Sequence, residues 1–213
     1  MRWGSRGWYT LLFAAMVLVT ADVLLDGPLR RLDWIIHEFC DAHVRDGALV
    51  AVHTVTKLGQ RGNLVMIIAP LAVVAAVRTR SLRYPVMSVV VVGLLSLLET
   101  GLKASIPRTF PVSGVDVLFT HGTAYPSGHT LNAFVLDWVV LELLVVALPA
   151  TRRHLTQRRR RNIALATGGI AATALTLADE HWLTDVLFSL ALGPVLLFGL
   201  IAVEPFNRGD EPR

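Results

Sequence analysis

Six apolar stretches, each close to the length of a membrane-spanning helix, are the feature that most constrains how this 213-residue chain folds. They cover Trp8–Leu25, Leu64–Val77, Tyr84–Leu102, Thr130–Leu148, Ile163–Ala178 and Val186–Val203. A helix needs about 20 apolar residues to cross the ~30 Å hydrocarbon core of a bilayer. Six such stretches leave too little polar sequence to surround a water-soluble core. The pattern therefore predicts an all-α, polytopic membrane bundle of six transmembrane helices.

The composition supports this class of protein. Hydrophobic residues make up 54% of the chain and charged residues 17%, against about 25% charged in soluble domains. A disordered chain and an ordinary soluble globule are excluded. The single Cys40 excludes an internal disulfide framework and a cysteine-based zinc site. We predict one domain, 1–213, made of a first span (1–28), an outer interfacial segment (29–62), five further spans (63–203) and a cytoplasmic tail (204–213).

The basic residues are divided unevenly between the two sets of loops, and this asymmetry predicts the orientation. One side carries 13 of the 20 Lys and Arg residues: Arg2, Arg6, Arg78, Arg80, Arg83, Arg152, Arg153, Arg158–Arg161, Arg208 and Arg213. Because basic residues concentrate in cytoplasmic loops, we expect this side, with both termini, to be cytoplasmic. The run Arg158–Arg161 is then an orientation anchor and not a nucleic-acid site. The first span loosely resembles a signal peptide. Its removal would leave five spans and disturb the alternation of basic and less basic loops, so we expect it to stay uncleaved.

The outer segment is predicted to contain a helix that lies in the membrane interface. Its apolar residues recur at helical spacing: Leu29, Leu32, Ile35, Ile36 and Phe39. Its charged residues take the opposite face: Arg30, Arg31, Asp33, Glu38 and Asp41. A second, apolar helix is expected over Ala48–Leu58, ending at Gly59.

Three polar clusters lie at the ends of the spans on the outer side. Lys103–Arg108 follows the third span, Tyr125–His129 opens the fourth, and Asp179–Asp185 lies between the fifth and the sixth. With six spans, all three clusters meet at one face of the membrane. Polar residues scattered at random would not be expected to do so, and their convergence predicts a functional site.

Two of the clusters are suited to holding a phosphate. Ser127 and Gly128 lie at a predicted helix N-terminus, where free backbone N–H groups favour an anion. The Ser127 hydroxyl adds a further donor. Lys103 and Arg108 supply positive charge of the kind that pairs with phosphate oxygens.

Two histidines supply the reactive groups. His129 can carry a transferable proton. Asp185 follows His181 by four residues, so that on a helix the two share a face and the carboxylate orients the imidazole. Together the clusters predict a phosphoryl-transfer site, in which one histidine attacks phosphorus and the other protonates the leaving oxygen.

At these residues the sequence resembles the type 2 phosphatidic acid phosphatase (PAP2) superfamily of membrane lipid phosphatases. The most specific matches are Tyr-Pro-Ser-Gly-His-Thr at 125–130 and His-Trp-Leu-Thr-Asp-Val at 181–186. The resemblance implies that His181 becomes phosphorylated, that Asp185 orients it and that His129 is the general acid.

The resemblance also implies how the substrate is held. Lys103, Ser127 and the Gly128 amide would bind the phosphate oxygens, with no metal and no organic cofactor. The substrate would be a lipid phosphate or a polyprenyl diphosphate in the bilayer. The active site would lie on the outer face of the cell membrane.

Two arginines of the family pattern are missing. Phe110 stands seven residues after Lys103, where the family has Arg, and Arg108 is expected to substitute. Ala174 and Leu175 occupy the Ser-Arg positions of the third motif. Each lost charge-assisted contact would cost about 1.5–3 kcal/mol.

Asp179 and Glu180 stand beside His181, where acids would repel a phosphate. We interpret them as a solvated loop pair, or as accessory ligands through which Mg²⁺ bridges a diphosphate. The second interpretation leads to a Mg²⁺-dependent enzyme that ionises a prenyl diphosphate and lets the carbocation eliminate or cyclise. A third hypothesis is a non-catalytic protein that binds a lipid phosphate.

Other polar residues are secondary candidates. On the outer side, three residues are candidates to replace the contacts of the two missing arginines: His121, Asp116 and Arg61. Inside the fourth span, Asp137 is a candidate cavity-lining acid, and Glu142 is expected to pair with Arg152 or Arg153.

Overall fold

The computed structural model describes residues 5–207, and within that range every regular element is a helix. The eight α-helices are α1 (Arg6–Leu24), α2 (Pro28–His43), α3 (Asp46–Thr56), α4 (Arg61–Thr79), α5 (Arg83–Ser105), α6 (Gly128–Ala147), α7 (Gln157–Leu177) and α8 (Leu183–Val203). The prediction of an all-α fold is confirmed. Arg2, Arg208 and Arg213, which entered the orientation argument, lie outside the described residues, as does most of the predicted cytoplasmic tail.

Five of the helices, α1, α4, α5, α6 and α8, are long and apolar enough to cross a membrane. α7 coincides with the remaining predicted span but is less apolar, because its first turn is Arg158–Arg161 and its body is rich in Ala, Gly and Thr. The membrane helix bundle is confirmed, while the number six stays a prediction. The short apolar stretch Leu64–Val77 extends at both ends into polar residues to form the 19-residue α4.

The centre of the bundle is α6, which packs against α4, α5, α7 and α8. The Phe134 ring of α6 fits between Gly168 of α7 and Gly193 of α8, where an added Cβ would come within 2.5 Å and 2.2 Å of the ring. Small residues at such contacts let membrane helices approach closely. This packing fixes the relative positions of α6 and α8, whose first residues carry the candidate site.

Part of the polar face of α2 is turned into the protein. Asp33 is only 1% exposed, whereas the apolar side chains of Ile35 and Phe39 are 63% and 56% exposed. An interfacial helix presents its apolar face to the bilayer, so the arrangement fits the predicted position of α2. As a result, Asp33 and His37 of α2 reach the start of α8 and the loop before it.

The turn after α3 packs directly on the start of α6. The second outer helix, α3, falls close to its predicted bounds, and a single 3₁₀ turn, Lys57–Gly59, follows it. A Cβ added to Gly59 would lie 2.0 Å from the carbonyl oxygen of His129. Because that neighbour is backbone, a side chain at Gly59 cannot be accommodated without moving His129.

Gly59→Ala is therefore expected to destabilise the protein by about 1–3 kcal/mol through overpacking against the His129 backbone. Gly62→Ala is the matched control, because its added Cβ meets nothing within 4 Å, and its effect should stay within about 0.5 kcal/mol. Thermal unfolding in detergent compares the two variants. Equal melting temperatures would contradict the close contact.

Candidate active site

The polar clusters meet at one end of the bundle, beside a cavity of about 480 Å³. His129, in the first turn of α6, and His181, in the loop before α8, both line this cavity. Their ring centroids are 6.4 Å apart. Reacting atoms need to approach within about 3–3.5 Å, so two imidazoles at this separation can contact one phosphate group between them.

His181 is oriented by Asp185. The Oδ2 atom of Asp185 lies 3.3 Å from His181 Nδ1 and accepts a hydrogen bond of 3.1 Å from the Trp182 backbone N–H. An ionised carboxylate only accepts hydrogen bonds, so the ring proton belongs on Nδ1 and the lone pair on Nε2. Nε2 is therefore the atom of His181 that is prepared to attack.

The spacing predicted that His181 and Asp185 share a face of one helix. Their contact arises differently. α8 begins at Leu183, so His181 precedes the helix and Trp182 is its N-cap. Asp185 occupies the third helical position and bonds back to the N-cap N–H, as in a capping box. The helix cap, rather than a helical turn, brings the carboxylate to the imidazole.

Arg108 is fully buried and donates all five of its N–H groups within the protein. Nε and Nη2 bond to Asp116 at 2.7 and 2.8 Å, and Nη2 also bonds to Asp33 at 2.7 Å. Nη1 bonds to Thr184 Oγ1 at 2.6 Å and to Asp185 Oδ1 at 2.8 Å. Burial alone would lower the pKa of the guanidinium, but the three carboxylates outweigh burial and raise this pKa.

None of the four predicted phosphate-binding residues lines the described cavity: Lys103, Ser127 and Gly128 lie at the N-terminus of α6, next to His129. Arg108 is enclosed by three carboxylates. It bonds to Oδ1 of Asp185, while His181 approaches Oδ2 of the same carboxylate. With its donors occupied, Arg108 fixes the group that orients the histidine.

Asp116 should make the stability of this network depend on pH. Burial alone would raise the pKa of Asp116, but hydrogen bonds from Arg108 and Arg30 hold this pKa below its usual range. An acid with a lowered folded-state pKa contributes stability that is complete above its unfolded pKa, about 3.9, and is lost as the pH falls toward the folded value. We expect Asp116→Asn to be less stable than the wild type at neutral pH and to lose less stability between about pH 5 and pH 3. Melting temperatures across that range test this, and parallel curves would contradict it.

The start of α6 has the features of an anion site. Ser127 is the N-cap, and its Oγ accepts hydrogen bonds from the Thr130 N–H at 3.4 Å and the Thr130 hydroxyl at 3.0 Å, so the Ser127 hydroxyl can still donate its own proton. A Cβ added to Gly128 would lie 2.5 Å from Glu99 Oε2 and 3.6 Å from Lys103 Cε. Lys103 therefore lies beside this helix N-terminus.

Two cations and one acid surround that N-terminus. Glu99 is buried on α5, one turn before Lys103, and pairs with Arg61 of α4. Lys103 Nζ donates to the carbonyl oxygen of Thr123 at 2.6 Å. The three charged side chains sum to one positive charge, which favours a phosphate anion near Gly128.

Asp179 and Glu180 are each paired with a histidine, contrary to the interpretation as a solvated acid pair. His37 Nδ1 of α2 lies 2.8 and 2.9 Å from the two carboxylate oxygens of Asp179. Glu180 Oε1 lies 2.7 Å from His53 Nδ1 of α3 and accepts a hydrogen bond from Thr56. The outer helices are thereby joined to the loop that carries His181.

The positions of the missing arginines are apolar. The Phe110 ring lines the cavity, 5.5 Å from the His181 ring, in an edge-to-face contact. Leu175 is fully buried and packs with Val186 of α8. Neither position brings a cation to the cavity.

Three of the secondary candidates, Glu142, Asp137 and His121, do not line the described cavity. Glu142 pairs with Arg160 at 2.6 Å, so the predicted pairing with Arg152 or Arg153 is wrong. Asp137 Oδ2 is buried without a hydrogen-bond partner among residues 5–207, and Asp137 does not line the described cavity. His121 is exposed.

The sequence model of the PAP2 superfamily matches residues 65–208, more than half of the chain. The structure is similar to one described as the crystal structure of the first transmembrane PAP2 type phosphatidylglycerolphosphate phosphatase from Bacillus subtilis. The two chains are 21% identical and superpose with a TM-score of 0.74, covering 94% of this chain and 98% of the other. At this identity the likeness concerns the fold. No curated protein matches the chain significantly.

Proposed function

The chain belongs to the PAP2 superfamily, and we propose that it is an integral membrane lipid phosphatase that acts through a phosphohistidine at His181. The observation that carries the proposal is the pair of imidazoles of His129 and His181, 6.4 Å apart in one cavity. The substrate is a lipid phosphate or a polyprenyl diphosphate. The site lies on the outer face of the membrane and both termini in the cytoplasm, as the distribution of basic residues favours.

In the first step, His181 Nε2 attacks phosphorus, and the bond between phosphorus and the lipid oxygen breaks. Positive charge develops on the His181 ring, where the Asp185 carboxylate stabilises it. His129 donates a proton to the departing oxygen. The step leaves phosphorylated His181 and a lipid alcohol, or a lipid monophosphate where the substrate is a diphosphate.

In the second step, water attacks the phosphohistidine. His129, now neutral, accepts a proton from the attacking water. The bond between phosphorus and Nε2 breaks, and the electron pair returns to the His181 ring. Inorganic phosphate leaves, and both histidines regain their starting protonation states.

The phosphate oxygens are held by Lys103, the Ser127 hydroxyl and the Gly128 N–H. The free N–H groups and the dipole at the start of α6 favour the dianion. Arg108 acts on the reaction indirectly through Asp185, because its own donors are occupied within the protein.

The metal-dependent alternative depends on Asp179 and Glu180 as ligands. Their partners are His37 and His53, which accounts for both acids as links between the outer helices and the catalytic loop. Within residues 5–207, no group of three or more His, Cys, Asp or Glu side chains has an arrangement suited to a metal ion. The phosphatase is the function that the site supports best, because the imidazoles of His129 and His181 line one cavity.

The test is a product assay on purified protein in detergent micelles. The substrates are phosphatidate, phosphatidylglycerol phosphate and a polyprenyl diphosphate, each with and without Mg²⁺. We expect release of inorganic phosphate and the dephosphorylated lipid from at least one substrate, without added Mg²⁺. Diphosphate with a hydrocarbon product, or binding without turnover, would contradict the proposal and favour one of the two alternatives.

A further inference from the structure

Asp33 of the outer helix α2 is buried at the site although it lies outside the part of the chain that matches the family model. Its side chain is fully inaccessible, as is that of Arg108, to which it is paired. Burying a carboxylate is unfavourable unless its oxygens are hydrogen-bonded and its charge is compensated. The partners of Asp33 therefore indicate what it does.

Two of the hydrogen bonds of Asp33 go to the start of α8, and the third goes to Arg108. Oδ1 accepts from the backbone N–H of Thr184 at 2.9 Å. Oδ2 accepts from the Thr184 hydroxyl at 2.6 Å and from Arg108 Nη2 at 2.7 Å. Thr184 is at the second helical position of α8, where the backbone N–H has no partner within the helix. Asp33 thus caps α8 from a different helix.

The residue after Thr184 is Asp185, whose carboxylate orients His181. Arg108 Nη1 bonds to both Thr184 Oγ1 and Asp185 Oδ1, so Asp33, Thr184 and Arg108 form a closed hydrogen-bonded ring to which Asp185 is attached through Arg108. Asp33 acts on Asp185 by two routes, one through the α8 backbone and one through the guanidinium.

The charge of Asp33 also affects how strongly Arg108 interacts with Asp185. Arg108 divides its five hydrogen bonds among three carboxylates and one hydroxyl. Without the negative charge of Asp33, the guanidinium would neutralise Asp185 more completely. Asp185 would then stabilise positive charge on His181 less well.

We propose that Asp33 is a positioning residue for phosphoryl transfer, which makes the outer helix α2 a part of the catalytic machinery. The proposal rests on the phosphatase function proposed above. Asp33 does not touch the substrate, so its removal should lower kcat and leave KM nearly unchanged. Loss of such a supporting partner typically lowers activity about 10- to 100-fold.

The experiment measures kcat and KM for Asp33→Asn, which keeps the shape of the side chain and removes its charge. Phosphohistidine formation in a single turnover, normalised to the amount of folded protein, supplies the rate per active site. Glu38→Gln is the matched control, because Glu38 is an exposed acid on the same helix. We expect kcat to fall about 10- to 100-fold in Asp33→Asn, with KM within about twofold of the wild type, and both constants to be unchanged in Glu38→Gln.

A second pair of variants keeps the test decisive if Asp33→Asn does not fold. Thr184→Val removes the hydroxyl that bonds to Asp33 and Arg108, while Thr184→Ser retains it. We expect Thr184→Val to lose kcat and Thr184→Ser to restore it. Equal kcat in Asp33→Asn and wild type, or in the valine and serine variants, would overturn the role of Asp33 and leave the phosphatase function intact. A wild type that releases no phosphate from any substrate would overturn the phosphatase function and, with it, this role.

Discussion

Replacing His181 with alanine is expected to lower kcat by roughly 10⁴-fold or more, because it removes the proposed attacking nitrogen itself. His181 lines the cavity, and the contact between its Nδ1 and Asp185 leaves the lone pair on Nε2. Binding of the lipid should persist, since Lys103, Ser127 and the Gly128 amide remain. The measurement is phosphate release, with lipid binding followed in parallel.

His43→Ala is the matched control for this loss. His43 is an exposed histidine at the end of α2 and does not line the cavity. Its replacement should leave kcat at the wild-type value. If His181→Ala retained full activity in a preparation that melts like the wild type, the proposed nucleophile would be wrong.

Replacing Arg108 with glutamine is expected to have the largest effect on stability. It leaves the carboxylates of Asp33, Asp116 and Asp185 buried without their shared guanidinium. Breaking a buried ion pair by removing one partner costs about 3–5 kcal/mol, which for a chain of this length lowers Tm by about 10 °C. Thermal unfolding in detergent measures the change.

Arg108→Lys should rescue this loss only in part. Lysine keeps the charge but has three donors in place of five and cannot form the planar fork that joins three carboxylates. Arg31→Gln is the control, because Arg31 is an exposed arginine on α2 and its removal changes the net charge equally. A Tm for Arg108→Gln within a degree or two of the control would show that the buried network adds little stability.

The reactive pair of histidines could be predicted from sequence because each lies in a short motif. His129 follows the Pro-Ser-Gly turn that starts α6, and His181 is joined to Asp185 by local chain geometry. Even here the local structure differed, since the capping of α8 and not a helical face makes the contact between His181 and Asp185. Motif spacing predicted that His181 and Asp185 meet, but it did not predict that the N-terminal cap of α8 brings them together.

The supporting residues could not be predicted, because their partners are far away in sequence. Asp33 and Arg108 are 75 residues apart, and His37 and Asp179 are 142 apart. Helical periodicity separated a charged face of α2 from an apolar one, but a charged face can be satisfied by water or by other protein groups. Only the packing of α2 on α8 decides whether the partners are water or protein groups.

The membrane-spanning helices could also be predicted only in part from the sequence. The apolar stretches of α1, α4, α5, α6 and α8 are long enough to be recognised from hydropathy alone. The basic first turn of α7 and its small residues weaken that signal. Small residues on α7 nevertheless serve the packing, as Gly168 does against Phe134.

The most direct test of the account is to trap the covalent intermediate. Substrate labelled with ³²P is mixed with the protein, the reaction is stopped in alkaline denaturant, where a phosphohistidine survives, and the labelled peptide is identified by mass spectrometry. A phosphohistidine mechanism predicts label on His181 in the wild type and none in His181→Ala. Label on another residue, or full phosphate release with no labelled histidine at any time, would contradict it.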